Sequence, residues 1–269
     1  MTVTEHIVDG IEYLERSGKG GPVLVLLHGI GSNAGSFRTL LPELPADWRV
    51  IAWNAPGYGN STPLAAEWPL AFDYAGALHR MLTALKLERV LLAGHSLGTL
   101  IGAAYAAAHR DRVARLLLAS PALGHGMARG VLSPAARARI DDLERLGGSA
   151  FAAARAARLV HLPDAHPELV ARVEIAMGQV KSPGYGAAAR MLASGRLIDD
   201  ARRLFVPTDV IVGAEDLVTP PDGAERVYEA LRPEARGSLT IVPEAGHALY
   251  QQAPAGFAAA LEALQETAR

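Results

Sequence analysis

The chain has 269 residues, of which 50% are hydrophobic and 20% charged, with 26 basic and 28 acidic side chains. The formal net charge is −2, so the chain lacks the excess of basic side chains that would bind a phosphate backbone. This argues against nucleic acid as the main partner. The chain has no cysteine, so disulfides, thiolate metal sites and cysteine nucleophiles are excluded. Its apolar content suffices for a sizeable core, and its length allows one large α/β domain with an insertion or two small domains.

The N-terminal segment and the apolar runs bear on location. Residues 1–16 carry charges throughout and lack the apolar centre of a signal peptide. The apolar run Val23–Leu27 is far shorter than the roughly 20 residues that span a bilayer. We therefore expect a soluble cytoplasmic protein that binds a small-molecule substrate and no membrane, and a homo-oligomer stays open.

Short apolar runs bounded by Gly, Pro or Ser recur along the chain, as is typical of buried parallel strands. The Asp9-Gly10 pair before them predicts a hairpin with a tight turn. Helical patterns separate the runs, which predicts an α/β fold with a doubly wound, mostly parallel sheet covered on both faces. The predicted strands are Val23–Leu27, Val50–Trp53, Val90–Ala93, Val113–Ala119, Val210–Val212 and Leu239–Val242, and the clearest helices are Ala71–Leu85, Leu97–Ala108, Gly223–Leu231 and Pro254–Leu264.

Residues 121–206 break this alternation, because they contain only Ala-, Arg- and Leu-rich stretches of helical period. Ser133 before Pro134 is a plausible helix N-cap, and Gly147-Gly148 predicts a break. We interpret this segment as a helical insertion of about four helices in a core formed by residues 1–120 and 207–269. Some of its apolar side chains should line a pocket; the candidates are Leu159, Val160, Ile175, Met177, Met191 and Leu192.

A serine between two glycines is the decisive motif. Val90–Ala93 leads directly into Gly94-His95-Ser96-Leu97-Gly98, which opens a helical pattern. A serine at such a strand-to-helix turn has a strained backbone, and its hydroxyl lies at a helix N-terminus that favours developing negative charge. We therefore predict Ser96 as a nucleophile.

A serine nucleophile needs a base and a carboxylate that orients the base. His247 follows the last predicted strand and therefore lies at the same sheet edge as Ser96. Asp216 and Glu215 follow the preceding strand, and we favour Asp216 because Thr219-Pro220 stiffens its loop. Asp209 precedes that strand, at the wrong edge. The predicted catalytic residues are thus Ser96, Asp216 and His247.

An acyl-transfer site also needs N–H donors for an oxyanion. One is the backbone N–H of Leu97, directly after the nucleophile. The loop after the early strand reads His28-Gly29-Ile30-Gly31, whose glycines let the backbone turn inward, so Ile30 is the second predicted donor. We expect the His28 and His95 side chains to make local hydrogen bonds or packing contacts.

Together with Pro56-Gly57-Tyr58-Gly59, Thr219-Pro220 and Gly246-His247, these motifs resemble the α/β-hydrolase superfamily over nearly the whole chain. The chain looks most like 3-oxoadipate enol-lactonases, small serine esterases and meta-cleavage-product C–C hydrolases. The resemblance implies a sheet of about eight strands, the helical cap, the Ser, Asp and His triad, and chemistry without a cofactor or metal.

Departures from the resemblance narrow the chemistry. Relatives have Asp at the position of Asn54, which concerns a hydrogen bond in the loop and not the reaction. Ser96 argues against the dehalogenases and epoxide hydrolases of this fold, which use Asp as nucleophile. Ala248 replaces the Trp of many meta-cleavage hydrolases, and Arg190 is either their cap arginine or a solvated charge. We rank ester or lactone hydrolysis first, C–C hydrolysis second, and a ligand-binding receptor third.

Overall fold

The computed structural model describes residues 2–266, which contain one eight-stranded sheet. Its strands are β1 (Val3–Val8), β2 (Ile11–Arg16), β3 (Val23–Leu27), β4 (Arg49–Trp53), β5 (Val90–His95), β6 (Val113–Ala119), β7 (Thr208–Gly213) and β8 (Arg236–Val242). They lie in the order β1-β2-β4-β3-β5-β6-β7-β8, where β3 to β8 are parallel and β1 and β2 are antiparallel to their neighbours.

Apolar layers cover both faces of this sheet. Along β3, Val25 and Leu27 face one layer, whereas Leu24 and Leu26 face the other. Successive side chains of a strand point to opposite faces, so an unbroken apolar run supplies both layers. Outside residues 121–206, the layer at Val25 contains α1 (Ala71–Ala84), α2 (Leu97–Ala108) and α7 (Pro221–Ala230), and the layer at Leu24 contains α8 (Leu249–Gln252) and α9 (Pro254–Glu266).

The predicted strands and helices are confirmed, with differences only at their ends. The predicted hairpin is confirmed as well, and both turn residues have the positive φ that a two-residue turn requires, 48° at Asp9 and 73° at Gly10. Because β7 begins at Thr208, Asp209 lies inside the strand, and the interpretation that it precedes the strand is wrong. Within residues 2–266, no helix combines the length and apolar character needed to cross a membrane.

Residues 121–206 contain helices and, within this described segment, no strand. The Ser133 hydroxyl accepts a hydrogen bond from the Ala136 N–H at 3.1 Å, so the predicted N-cap is confirmed. The predicted break at Gly147 is a kink within one helix, where φ is 75°. The helices are α3 (Pro134–Ala153), α4 (Pro167–Gly178), α5 (Gly184–Ser194) and α6 (Leu197–Ala201).

Asn54 is hydrogen-bonded to a carboxylate. Its Oδ1 accepts the Ala34 N–H at 2.8 Å, and its Nδ2 donates to Glu12 Oε2 at 2.6 Å. The backbone and side chain of Asn60 also donate to Glu12. An aspartate at position 54 could still accept from Ala34, but it would place a second carboxylate against Glu12. The amide therefore supplies the donor that Glu12 requires.

We predict that Asn54→Asp lowers the free energy of unfolding by about 1–2 kcal/mol, because it removes a donor and adds a like charge. Urea unfolding at neutral pH measures the loss. The control is Glu12→Gln in the Asn54→Asp background, where the new amide can donate to Asp and should recover about 1 kcal/mol relative to additivity. Additive losses in the double variant would contradict the pairing.

Candidate active site

Ser96 lies in a strained turn between β5 and α2. Its φ of 51° and ψ of −116° are unusual for a residue with a side chain, and its N–H donates to the Ala119 carbonyl at 2.9 Å. The turn depends on its two glycines, because a methyl group on Gly94 would overlap the Gly98 backbone, and one on Gly98 would overlap the Leu27 carbonyl. The sheet and α2 thus hold the serine at the carboxyl edge of β5.

The loop after β3 runs directly against this serine. A Cβ on Gly29 would lie only 3.1 Å from Ser96 Cβ and 3.3 Å from His95 Nδ1, so the absence of a side chain lets the backbone pass close to Ser96. Ile30 lines the same cavity as Ser96, and Tyr58 Oη donates to the Ile30 carbonyl at 2.8 Å. Within the described residues the N–H groups of Ile30 and Leu97 have no acceptor. Both predicted donors are therefore free to bind a ligand oxygen.

His28 shapes this loop, as the sequence predicted. Its Nδ1 donates to the Gly29 carbonyl at 2.8 Å, and its Nε2 accepts the Ala55 N–H at 3.0 Å. Complete burial lowers the pKa of His28 to about 4. The neutral ring can keep both bonds, and it joins the loops that follow β3 and β4.

Asp216 and His247 meet across the ends of β7 and β8. His247 Nδ1 donates to Asp216 Oδ2 at 2.9 Å, and the two side chains are 6% and 0% exposed. The other carboxylate oxygen accepts the N–H groups of Val218 and Thr219, both at 2.8 Å. Burial raises the pKa of Asp216, but these hydrogen bonds and the charge of His247 lower it more, to about 2. Glu215 is exposed, and its side chain takes no part in this network.

Thr219 belongs to the same network, although the sequence predicted it only as a stiffening residue. Its Oγ1 lies 3.0 Å from Asp216 Oδ2, 3.2 Å from His247 Nδ1 and 3.0 Å from the Ser120 carbonyl oxygen. Its one proton can be donated to the carboxylate or to the carbonyl. It thus connects the acid to the end of β6.

His95 holds the backbone of His247, which agrees with the predicted local role. Its Nε2 donates to the His247 carbonyl at 2.8 Å, and its ring packs against Tyr250 with centroids 4.9 Å apart. Burial, together with the charge of His247, lowers the pKa of His95 to about 3, so the ring is neutral at ordinary pH. His95 thus positions His247 from the side of Ser96.

Two hydrogen-bond systems join residues 159–161 to the His247 loop. The Ala248 N–H donates to the Leu159 carbonyl at 2.8 Å. Gln252 accepts from the N–H groups of Gly246 and His161 and donates to the His161 carbonyl. Sequence reasoning missed Gln252, since nothing in its local pattern distinguishes it from a solvated helix residue.

A cavity of about 460 Å³ lies between residues 121–206 and the sheet edge, and Ser96 and His247 both line it. Three of the six apolar candidates, Leu159, Met177 and Leu192, line the cavity, whereas Ile175 is 66% exposed. Arg190 is absent from the lining, which favours the second of its two interpretations, a charge outside the site. Three arginines that sequence reasoning missed line it instead, namely Arg139, Arg155 and Arg158.

A family model described as alpha/beta hydrolase fold matches residues 22–254, which is most of the chain. The chain belongs to the α/β hydrolase fold family. The resemblance inferred from its motifs, the predicted fold class and the eight-stranded sheet are thereby confirmed.

Known members of the family resemble the chain over nearly its full length. (E)-2-((N-methylformamido)methylene)succinate hydrolase of Acinetobacter baylyi is 28% identical over 269 residues, covering 95% of this chain and 94% of the relative. Pimeloyl-[acyl-carrier protein] methyl ester esterase of Neisseria meningitidis is 28% identical over 243 residues, covering 87% and 90%. The enol-lactonase from Burkholderia xenovorans LB400 shares the fold, with a TM-score of 0.82, 22% identity and coverage of 98% and 100%.

The lowered pKa of Asp216 predicts a pH-dependent contribution to stability. The carboxyl has a pKa of about 2 when folded and about 3.9 when unfolded, so its contribution is full above about pH 4 and is lost as the pH falls toward 2. The free energy of unfolding of the wild type should therefore exceed that of Asp216→Asn by about 2 kcal/mol more at pH ~5 than at pH ~2.

Urea unfolding across this pH range measures the difference, with Glu215→Gln as the control at an exposed neighbour. A constant difference between the wild type and Asp216→Asn would mean that the pKa of Asp216 is not lowered.

Proposed function

We propose that this protein is a cofactor-free serine hydrolase that cleaves a small carboxylic ester or lactone through an acyl-enzyme on Ser96. The observation that carries the proposal is a buried histidine, hydrogen-bonded to Asp216, that lines the same cavity as a serine in a strained strand-to-helix turn. The names of two similar proteins, a methyl ester esterase and an enol-lactonase, are consistent with this class.

In the first half of the proposed reaction, Ser96 Oγ attacks the substrate carbonyl and passes its proton to Nε2 of His247. The N–H groups of Ile30 and Leu97 stabilise the oxyanion of the tetrahedral intermediate. When this intermediate collapses, the bond to the alcohol oxygen breaks and His247 returns the proton to that oxygen. An ester releases the alcohol, whereas a lactone keeps it attached to the acyl group.

In the second half, water attacks the acyl-enzyme and His247 accepts the water proton. The bond to Ser96 Oγ then breaks, the serine regains its proton, and the carboxylic acid leaves. Asp216 stays ionised throughout and keeps Nδ1 of His247 protonated, so that Nε2 is the nitrogen that exchanges protons. The low pKa of Asp216 suits this role, because an ionised carboxylate stabilises the imidazolium.

We propose further that residues 121–206 form a cap domain on a core of residues 1–120 and 207–269. The support is that side chains from this segment form part of the wall of the cavity that contains Ser96. The cap would exclude water and select the substrate. Cytoplasmic location and a small-molecule substrate, with no nucleic-acid or membrane partner, stay predictions, and a homo-oligomer stays open.

Hydrolysis of a C–C bond is the alternative chemistry with the same residues. Ala248 favours ester or lactone hydrolysis, because a small residue follows the histidine where many C–C hydrolases of the family have Trp. Comparing 4-nitrophenyl esters and enol-lactones with dienoates distinguishes the two enzymes. Turnover of none of these compounds would favour a ligand-binding receptor.

We predict that Ser96→Ala lowers kcat for 4-nitrophenyl esters by about 10⁴-fold, because removal of the nucleophile leaves only binding and oxyanion stabilisation. Steady-state kinetics measures the loss, and circular dichroism verifies that the variant is folded. An organophosphonate should label Ser96 in the wild type, as peptide mass spectrometry can verify. Labelling at another serine, or an Ala variant as active as the wild type, would contradict the assignment.

We predict that Asp216→Asn lowers kcat by about 10³-fold or more while the protein remains folded, because an amide can hold His247 in the wrong tautomer. Glu215→Gln is the matched control, since it makes the same chemical change at the adjacent exposed position and should stay within about twofold of the wild type. Kinetics on one ester compares the two. The reverse ranking would identify Glu215 as the acid.

A further inference from the structure

The cavity wall carries an excess of positive charge. Arg139, Arg155 and Arg158 line it, and among its described lining residues Asp222 is the one carboxylate. The remaining lining is largely apolar, with side chains such as Phe151 and Met177. Arg139 and Arg158 are exposed and Arg155 is half-buried, so solvent screens the first two charges more than the third.

Two of these arginines act on one region of the cavity. Burial raises the pKa of the Tyr185 phenol, and the positive charges of Arg139 and Arg155 both oppose that rise. The charges of both guanidinium groups thus act on Tyr185, which lines the cavity together with them. Arg158 lies elsewhere on the wall, where it donates toward the Leu217 carbonyl at 3.4 Å, beside Asp216.

Arg155 is held in place by the protein. Its Nη2 donates to Asp142 Oδ2 at 2.7 Å, and its guanidinium carbon lies 4.1 Å from the centroid of the Phe151 ring. The same ring packs edge-on against Tyr185 with centroids 5.2 Å apart. These contacts fix the guanidinium before any ligand arrives, which lowers the entropy lost on binding.

Arg139 has no such partner. Within residues 2–266 no carboxylate lies within ion-pair distance of its guanidinium. Asp142 supplies one negative charge nearby, but it is shared by Arg145 and Arg155. Arg139 is exposed, so solvent balances its charge in the free protein, and a ligand carboxylate in the cavity would pair with it without displacing a protein carboxylate.

We propose that the substrate of this site carries a carboxylate, separated from the bond that is cleaved by an apolar segment, and that this carboxylate binds between Arg139 and Arg155. The proposal rests on the proposed hydrolase function. The planar guanidinium matches a carboxylate with paired hydrogen bonds, and the apolar wall suits the intervening segment. Monoesters of dicarboxylic acids, and lactones that carry a free acid, have this chemistry.

The test compares esters that differ only in a terminal methyl or carboxylate. In the acyl arm they are 4-nitrophenyl hexanoate and the 4-nitrophenyl monoester of adipic acid. In the alcohol arm they are 3-methylphenyl acetate and 3-acetoxybenzoate. Only the arm whose carboxylate lies on the correct side of the cleaved bond should respond. In that arm Arg139→Gln should lower kcat/KM about fivefold for the charged ester, mainly through KM, and leave the neutral ester unchanged. Added salt should weaken the same preference.

Arg137→Gln is the matched control, because it removes the same charge from the same helix α3 at an exposed position outside the cavity lining. It should leave both members of each pair unchanged, and Arg139→Lys should recover part of the preference. If Ser96-dependent hydrolysis is present but Arg139→Gln affects charged and neutral esters alike in both arms, the carboxylate site is wrong and the hydrolase function stands.

If no ester is hydrolysed, the hydrolase function fails and binding decides the carboxylate site by itself. Monomethyl adipate and methyl hexanoate are then titrated into Ser96→Ala by calorimetry. Saturable binding of the acid, with a Kd that Arg139→Gln raises about fivefold and Arg137→Gln does not, would support the site. No binding, or equal binding of the two esters, would overturn it.

Discussion

The buried hydrogen bond between Asp216 and His247 is the interaction on which the rest of the site depends. A carboxylate without exposure to water is costly unless every lone pair has a donor, and here His247 and the N–H groups of Val218 and Thr219 supply them. This requirement fixes the loop after β7 against the loop after β8. In the loop after β8, the Ala248 N–H then donates to the Leu159 carbonyl of residues 121–206. The bond between Asp216 and His247 therefore also helps to place this part of the cavity wall.

The turn at Ser96 and the hydrogen bonds of the Asp216 carboxylate place different demands on the fold. Ser96 adopts a strained backbone, which persists because the packed sheet and α2 surround it and because Gly94 and Gly98 give the chain room. The acid and the histidine instead depend on complete hydrogen bonding between loops. Rigid sheet layers therefore hold the serine, and a polar network brings the other two residues to the cavity that the serine lines.

Charge compensation distinguishes structural polar groups from those that remain available to a ligand. The two buried carboxylates within residues 2–266, Asp209 and Asp216, are both saturated by donors, and Asp209 is paired with Arg115. Glu12 has its amide partner in Asn54, whose Nδ2 donates to it. Arg139 at the cavity has no counterpart of this kind.

The sequence alone determined the strands, the hairpin and the sheet edge of the candidate site, because each of these follows from a local pattern of residues. Apolar runs determined the strands, the Asp9-Gly10 pair determined the hairpin, and strand ends placed Ser96, Asp216 and His247 at one edge, since parallel strands share a carboxyl end. The tertiary structure alone decided contacts between distant segments, such as Thr219 with Ser120, Gln252 with His161, and Asn54 with Glu12. It also decided that Arg139, Arg155 and Arg158 line the cavity and Arg190 does not. The physical reason is that an arginine on an alanine-rich helix has the same local pattern whether it faces solvent or a cavity, and only the packing of that helix against the sheet edge determines which.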